Sequence, residues 1–481
     1  MASDLPMLTR VVGGAEENWV KSTAGGTGIA VFGALFNRAI DTQHLSSVVQ
    51  ELLDCYSILR VQIVENAKGK TCFQASESCT AFEYVHERPW PSVEGFDHTG
   101  VIMFPKDHHD KHGSLALHKL VTEELNVAFV NAEGKPSPPV RVFQVLVYHS
   151  HSKHQTVVLL KLHSGALDRR SGHTVVEEFL GKLNLAVEGR LHHSQSAMSN
   201  EGLLAPIEDF IPKGKASKGL LQKGVDVVGY AYNSKKYALL PFDANYNGAS
   251  KTPFESKIVG VNLGKQGTVS FFEACKRENV SWAAALAAAL LKTTAALKEL
   301  KEKKQDEFNM TIVMDCRQYL EPKLPEAALG NYTLGIPGGE KVKEGIEFWD
   351  LARQVNSSIE KDLSKSKQFS EMSVLGMLFS QVMKHPNITP KSSLRTALFN
   401  LFVDPPMEAQ WKGVGELGLV GTIGPFSSMH FVGPCFCVVE TLTDGPELLL
   451  SLVYPSPVFS QAQILEILQP SINLLLESCG H

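Results

Sequence analysis

No two of the eight cysteines stand at the Cys-x-x-Cys spacing of a zinc ribbon or a dithiol redox motif. Neither chemistry is therefore expected, and unpaired thiols fit a reducing compartment. No run of about 18 apolar residues occurs, which argues against a membrane-spanning helix. The first ten residues lack the apolar core of a secretory leader, so a cytoplasmic protein is expected. No glycine fingerprint for a dinucleotide or a nucleotide phosphate is present. Positive charge is also not in excess. The 46 Lys and Arg against 51 Asp and Glu give a formal net charge of -5, which speaks against nucleic acid or an anionic membrane as partner.

What is present is an ordinary globular composition, with 43% apolar and 20% charged residues over 481 positions. That length accommodates two or three domains, or two large lobes, and a core adequate for a monomer. The lysines between Lys298 and Lys304 alternate with glutamates and read as a solvated helix face. The run Asp107-His108-His109-Asp110-Lys111-His112, and His149, His151 and His154, fall on polar connections. Adjacent residues of a loop rarely converge on one ion, so no metal site is expected.

Periodicity divides the chain into alternating strands and helices. Strands are expected over Ile29 to Phe36 and Leu59 to Ile63. Asp41 opens a helix carrying Leu45, Val48, Val49, Leu52 and Leu53. Residues 10 to 27 and 84 to 105 show no clear period. Val140 to Val147 and Thr156 to Leu162 form the clearest strand pair, followed by a helix over Ser171 to Leu185. Residues 188 to 255 have few periodic signals and read as a crossover between lobes. The expected organisation is a first lobe over 1–200, a crossover over 201–250 and a second lobe over 251–481. In that lobe Thr268 to Phe272 reads as a strand, Cys275 starts a short helix, and Ser281 caps an alanine-rich helix over Trp282 to Lys301. Met310 to Met314 is a strand and Ile346 to Ile359 a helix. Short strands fall within 393–404 and 416–422. His430 to Glu440 pairs with Leu448 to Tyr454, and the last helix runs from Gln461 to Glu477. Strands interspersed with long helices in both halves predict an α/β or α+β fold.

The segment His163-Ser164-Gly165-Ala166-Leu167-Asp168-Arg169-Arg170 closely follows the apolar run Val157 to Leu160 and precedes a helix. A histidine and an aspartate at the end of a buried strand are a plausible place for chemistry, because a neutral imidazole both takes and returns a proton near neutral pH.

Four segments together resemble the superfamily of CoA-dependent acyltransferases that includes chloramphenicol acetyltransferase, alcohol acetyltransferases, plant hydroxycinnamoyl-type acyltransferases and peptide-synthetase condensation domains. Tyr56-Ser57-Ile58-Leu59-Arg60 resembles the family's His-Pro-x-Leu-Arg turn. His163 to Asp168 resembles its His-x3-Asp signature. Val313 to Arg317 with Gly330-Asn331-Tyr332 resembles its Val-Asp-x-Arg and Gly-Asn segment. Gly421 to Phe426 resembles its late glycine-rich crossover strand. The sequence looks closest to a plant-type branch active in specialised metabolism, although the Asp-Phe-Gly-Trp-Gly motif of the hydroxycinnamoyl-type enzymes is absent. The resemblance implies two chloramphenicol-acetyltransferase-like lobes, each a mixed sheet with helices, around a shared tunnel. It also implies acyl-CoA as co-substrate and a small alcohol or amine as acceptor. The signature histidine would act as general base, and Asp168 would hold the turn through an arginine. Arg60 is the expected partner, with Arg10 and Arg169 as rivals. Asp315 and Arg317 would brace the second lobe. Thr422, Ser427, Ser428 and His430 are candidates to line the tunnel.

The signature carries one departure. Counting back from Asp168 by the family spacing reaches Ser164, while His163 lies one residue early, with four residues between it and Asp168. In a regular strand that shift reverses the side-chain direction. His163 would then face the lobe core and Ser164 the tunnel. Alternatively, Gly165 lets the chain bulge so that His163 still reaches the tunnel, or Ser164 is itself the reactive or orienting group. General-base acyl transfer, a non-catalytic binding or scaffold role on the same fold, and other tunnel chemistry such as hydrolysis or condensation using Ser164 or His430 are all open at this point.

Overall fold

In a computed structural model, the described residues are 8–23, 26–97, 100–102, 111–131, 133–135, 137–150, 152, 154–191, 202–216, 240–246, 254–297, 305–372, 399–403, 417–429, 436–442 and 448–480. They form two mixed α/β lobes.

The first lobe is built on β2 (Thr27–Phe36), whose ten residues are all buried. A strand apolar on both faces has to be covered on both sides. One cover is α3 (Lys111–Glu124), which packs on β2. Gly33 allows that approach, since a Cβ there would stand 2.7 Å from Leu117 and 2.8 Å from Val121. On one edge β2 pairs antiparallel with β8 (Gln155–His163), bringing Ile29 opposite His163. β8 pairs in turn with β7 (Phe143–Ser150), and β7 runs parallel to β5 (Val85–Pro89). On the other edge of β2 lies β13 (Leu419–Met429), a strand from late in the chain. The late segment thus completes the sheet of the first lobe. A second, four-stranded sheet in the order β1-β4-β3-β6 uses β1 (Thr9–Val11), β3 (Val61–Glu65), β4 (Thr71–Ala75) and β6 (Val140–Arg141). Helix α2 (Thr42–Cys55) is capped by Asp41, whose side chain accepts from the Gln43 N–H. It buries Leu45, Val48, Val49, Leu52 and Leu53 completely, each worth about 1.5–3 kcal/mol of transfer energy.

The second lobe carries a sheet in the order β11-β10-β12-β14-β15-β9. Its strands are β9 (Glu255–Asn262), β10 (Gln305–Asp315), β11 (Thr333–Lys343), β12 (Phe399–Val403), β14 (Phe436–Leu442) and β15 (Leu448–Ser456). Helices α5 (Gly264–Glu278), α6 (Trp282–Leu297), α7 (Phe348–Ser364), α8 (Lys367–Ser370) and α9 (Gln461–Ser478) accompany it. Eight alanines let α6 sink into this core, where Ala283 to Ala289 are at most 2% exposed. Among the described residues no single helix is long and apolar enough to cross a membrane. The bent pair α5–α6 has the length and composition to do so, with a 101° bend.

Several expectations are corrected. Residues 268–272 are helical, because Phe271, Ala274 and Cys275 form a buried stripe within α5. Helix α1 (Gly14–Thr23) and strand β5 arise in stretches that show little period. Leu59 and Arg60 belong to a 3-10 turn, Ser57–Arg60, ahead of β3. His108, His109, His151 and His430 lie outside the described residues.

Candidate active site

The site is built where β8 gives way to α4 (Arg169–Val187). Asp168 is the N-cap of α4, its carboxylate accepting from the Ser171 N–H at 2.8 Å. A carboxylate in this place meets the orphan N–H groups and the positive end of the helix dipole. Asp168 is also 6% exposed, so its charge needs a partner.

That partner is Arg317, 149 residues away and fully buried. Arg317 Nη1 donates to Asp168 Oδ2 at 2.9 Å, and Nη2 donates to Oδ1 at 3.1 Å. The Tyr332 N–H supplies a further bond to Oδ2 at 2.8 Å. The guanidinium also binds Asp315 Oδ1 at 2.8 Å, Ser171 Oγ at 3.0 Å and the Ala328 carbonyl through Nε at 3.0 Å and Nη2 at 2.8 Å. It lies 5.0 Å from the centre of the Tyr332 ring. Burial alone would lower the Arg317 pKa, but Asp168 and then Asp315 outweigh it and hold it above the usual arginine value. The Asp315 carboxyl is raised, mainly by burial, against the pull of Arg317.

The segment 328–332 ties the turn down from the other side. Asp168 N–H donates to the Gly330 carbonyl at 3.0 Å, and Asn331 Nδ2 donates to the Ser164 carbonyl at 3.0 Å. Ser171 Oγ donates to the Gly330 carbonyl and accepts from the Gly330 N–H. Tyr332 Oη donates to the Ala205 carbonyl at 3.1 Å. Asp168 is therefore a latch between the lobes.

The expected Asp168–Arg60 pair does not form. Both oxygens of Asp168 are taken by Arg317 and two N–H groups, while Arg60, buried in the 3-10 turn, bonds Ser57 Oγ at 3.1 Å. The rival Arg10 is held by Glu16 in two bonds of 2.7 and 2.6 Å, and Arg169 donates to the Pro425 carbonyl of β13. Asp315 and Arg317 do more than brace the second lobe, since their cluster reaches the first.

His163 is 1% exposed and faces the interior of the first lobe. Its ring lies 5.6 Å from that of Phe129, on the same side of β8 as Lys161, which pairs with Glu124 at 2.9 Å. Nδ1 accepts from the Gly165 N–H at 3.0 Å. Nε2 then carries the proton and donates to Thr23 Oγ1 at 3.0 Å, whose own hydroxyl donates to the Trp19 carbonyl at 2.9 Å. The tautomer follows from this network of partners. Burial lowers the His163 pKa to about 4. The imidazole is thus neutral, and its lone pair is already bonded. Gly165 permits the tight return: a Cβ there would meet the His163 ring at 3.0 Å and Val20 at 3.1 Å.

Ser164 presents the opposite case. Its N–H and carbonyl are fixed by the Gly28 carbonyl and Asn331, yet its Oγ is buried with no hydrogen-bond partner among the described residues. Ser428 Oγ accepts from the Ile29 N–H at 3.2 Å, which commits it to the seam between β2 and β13. Thr422 is buried on β13, and Ser427, farther along the same strand, is half-buried. None of the three bonds Ser164 among the described residues. No group of three His, Cys, Asp or Glu suited to a metal ion occurs among the described residues. Thr23, Phe129 and Ser171 carry structural parts that the sequence alone does not single out.

This two-lobe arrangement matches the bilobal architecture of solved acyltransferase and condensation-domain structures. Polyketide synthase associated protein 5 from Mycobacterium tuberculosis superposes with a TM-score of 0.64 at 15% identity, over 98% of this chain and 98% of that one. The trichothecene 15-O-acetyltransferase of Fusarium sporotrichioides gives 0.68 at 12% identity, over 98% and 95%. The condensation domain of the monacolin K polyketide synthase MokA gives 0.61 at 11% identity, over 99% of each chain. Residues 253–389 match the family described as phthiocerol/phthiodiolone dimycocerosyl transferase C-terminus. No curated protein matches the sequence. The sources named here are bacterial and fungal, and the expected plant-type branch finds no support in them.

Proposed function

We propose that the protein transfers an acyl group from a CoA-type thioester to the nucleophile of a small metabolite, and that His163 is not the general base of the transfer. The observation that carries this reading is the orphaned hydroxyl of Ser164, held in a turn that Asp168 and Arg317 fix in place. A buried hydroxyl without a partner is costly unless something fills the site. It stands at the position that the family spacing gives to the signature histidine. A hydroxyl both donates and accepts, so Ser164 is suited to orient an acceptor or a developing oxyanion. The resemblance to acetyltransferases and condensation domains supports acyl-CoA as the donor. Thr422 and Ser427 on β13, together with His430, are further candidates for the lining of the site.

The test is incubation of the purified protein with a panel of acyl-CoA thioesters and a metabolite extract, following release of the free thiol. Release that persists in a His163→Asn variant and falls in Ser164→Ala supports the proposal. Transfer that depends on the His163 imidazole contradicts it.

The sealed imidazole favours one second reading, a binding protein that holds such ligands without transferring between them. Saturable binding of an acyl-CoA with no thiol release in any acceptor mixture would support that reading instead.

A further inference from the structure

We infer that the acceptor is an amine and that the product is an amide; this rests on the acyl-transfer reading above. Two observations lead there. The His163 lone pair accepts the Gly165 N–H, and its Nε2–H is spent on Thr23. The side chain next in sequence, at the family's base position, is a hydroxyl with no activating partner among the described residues.

The two kinds of acceptor make different demands. An alcohol becomes a competent nucleophile only as its proton leaves, so it needs a base with a free lone pair at the moment of attack. A serine hydroxyl is too weak for that. A neutral amine brings its own lone pair. It attacks the thioester carbonyl directly, a C–N bond forms, and the carbonyl electrons move to oxygen. The resulting ammonium is strongly acidic. As the carbonyl re-forms, the C–S bond breaks, the thiolate leaves with the electron pair, and the ammonium proton passes to it. The products are an amide and a free thiol, with no base or further reagent required. Ser164 Oγ is equipped for the orienting part: it accepts one N–H of the amine while its own O–H donates to the developing oxyanion. A turn whose described residues offer no base for oxygen therefore favours nitrogen.

The test uses the full chain with matched amine and alcohol acceptors of one carbon skeleton, such as 2-phenylethylamine with 2-phenylethanol and octylamine with octanol. Each pair is supplied in competition with acetyl-, octanoyl- and benzoyl-CoA, and products are resolved by mass. The expected result is amide in excess of ester by about 100-fold or more, the scale of a missing general base. With a series of amines, the kcat/KM profile should shift with each amine's own ionisation. Ester formed at a rate comparable to amide would overturn the inference while leaving acyl transfer standing. So would an inflection near pH 6.5 common to every amine, since it would reveal an enzyme base of histidine type. No thiol release with any pair would overturn the acyl-transfer reading, and this inference with it. Ser164→His supplies an independent check, since an imidazole on this turn should raise ester formation relative to amide. An unchanged ratio in the folded variant would count against the inference.

Discussion

Arg317 grips Asp168 with two parallel N–H to carboxylate bonds of 2.9 and 3.1 Å, and both side chains are almost completely withdrawn from solvent. The pair spans the lobes, since Asp168 caps α4 of the first and Arg317 follows β10 of the second. Breaking a buried pair by removing one member leaves the other charge uncompensated, at about 3–5 kcal/mol. Arg317→Met should lower stability by that amount in urea denaturation. Arg317→Lys should recover little, because an ammonium cannot reproduce the planar fork. In double-mutant cycles, Asp168 and Arg317 should couple by about 1 kcal/mol or more, whereas Asp168 and Arg60 should be additive within about 0.5 kcal/mol. Strong coupling to Arg60 would contradict the arrangement.

Acid should loosen the molecule through two buried histidines. Burial holds both His163 and His118 at a pKa of about 4, below the ordinary 6.5. His118 Nδ1 accepts from the Ile102 N–H at 3.3 Å, and the ring also meets the Ile258 backbone of β9, so this side chain joins α3 to the second lobe. A lowered folded-state pKa means the unfolded chain binds more protons between the two values. The stabilisation is therefore complete above about pH 6.5 and is lost as pH falls towards about 4. Each histidine contributes roughly 3 kcal/mol to that loss. Denaturation midpoints followed from pH 7 to pH 4 should fall in this window, and His118→Gln should flatten the fall.

The hydroxyl of Thr23 fixes the far end of the His163 ring. Thr23→Val keeps the shape and leaves the Nε2–H unsatisfied in the interior, which should cost about 1–3 kcal/mol. Thr23→Ser should cost less. Equal losses in the two variants, measured by chemical denaturation, would show that packing and not the hydrogen bond matters here.

Much of this frame is legible in the sequence, for identifiable reasons. β8 and α4 announce themselves because an apolar run meets a helix-capping aspartate. The direction of His163 is legible only as an alternative, since a strand period of two turns it inward and a bulge at Gly165 would turn it out; the imidazole lies buried in the first lobe. The choice of Arg317 over Arg60 is not legible, since nothing local says which arginine crosses 149 residues to reach Asp168. Helix α1 escapes notice because it carries no apolar stripe. Its start is held by Glu208, whose Oε1 accepts from the Ala15 N–H, and by Glu16, whose Oε2 accepts from the Gly13 N–H. Thr268 to Phe272 has the β-branched and aromatic character of a strand, and tertiary packing of Phe271, Ala274 and Cys275 overrides it.

The central claim is that the His163 lone pair is already engaged, so this imidazole is no base. Long-range proton–nitrogen NMR of the histidine side chains, assigned with His163→Asn, measures this without any substrate. The account requires a single neutral Nε2–H tautomer for His163, unchanged between about pH 8 and pH 5.5. A His163 resonance that titrates near pH 6.5, or one that carries its proton on Nδ1, would contradict it.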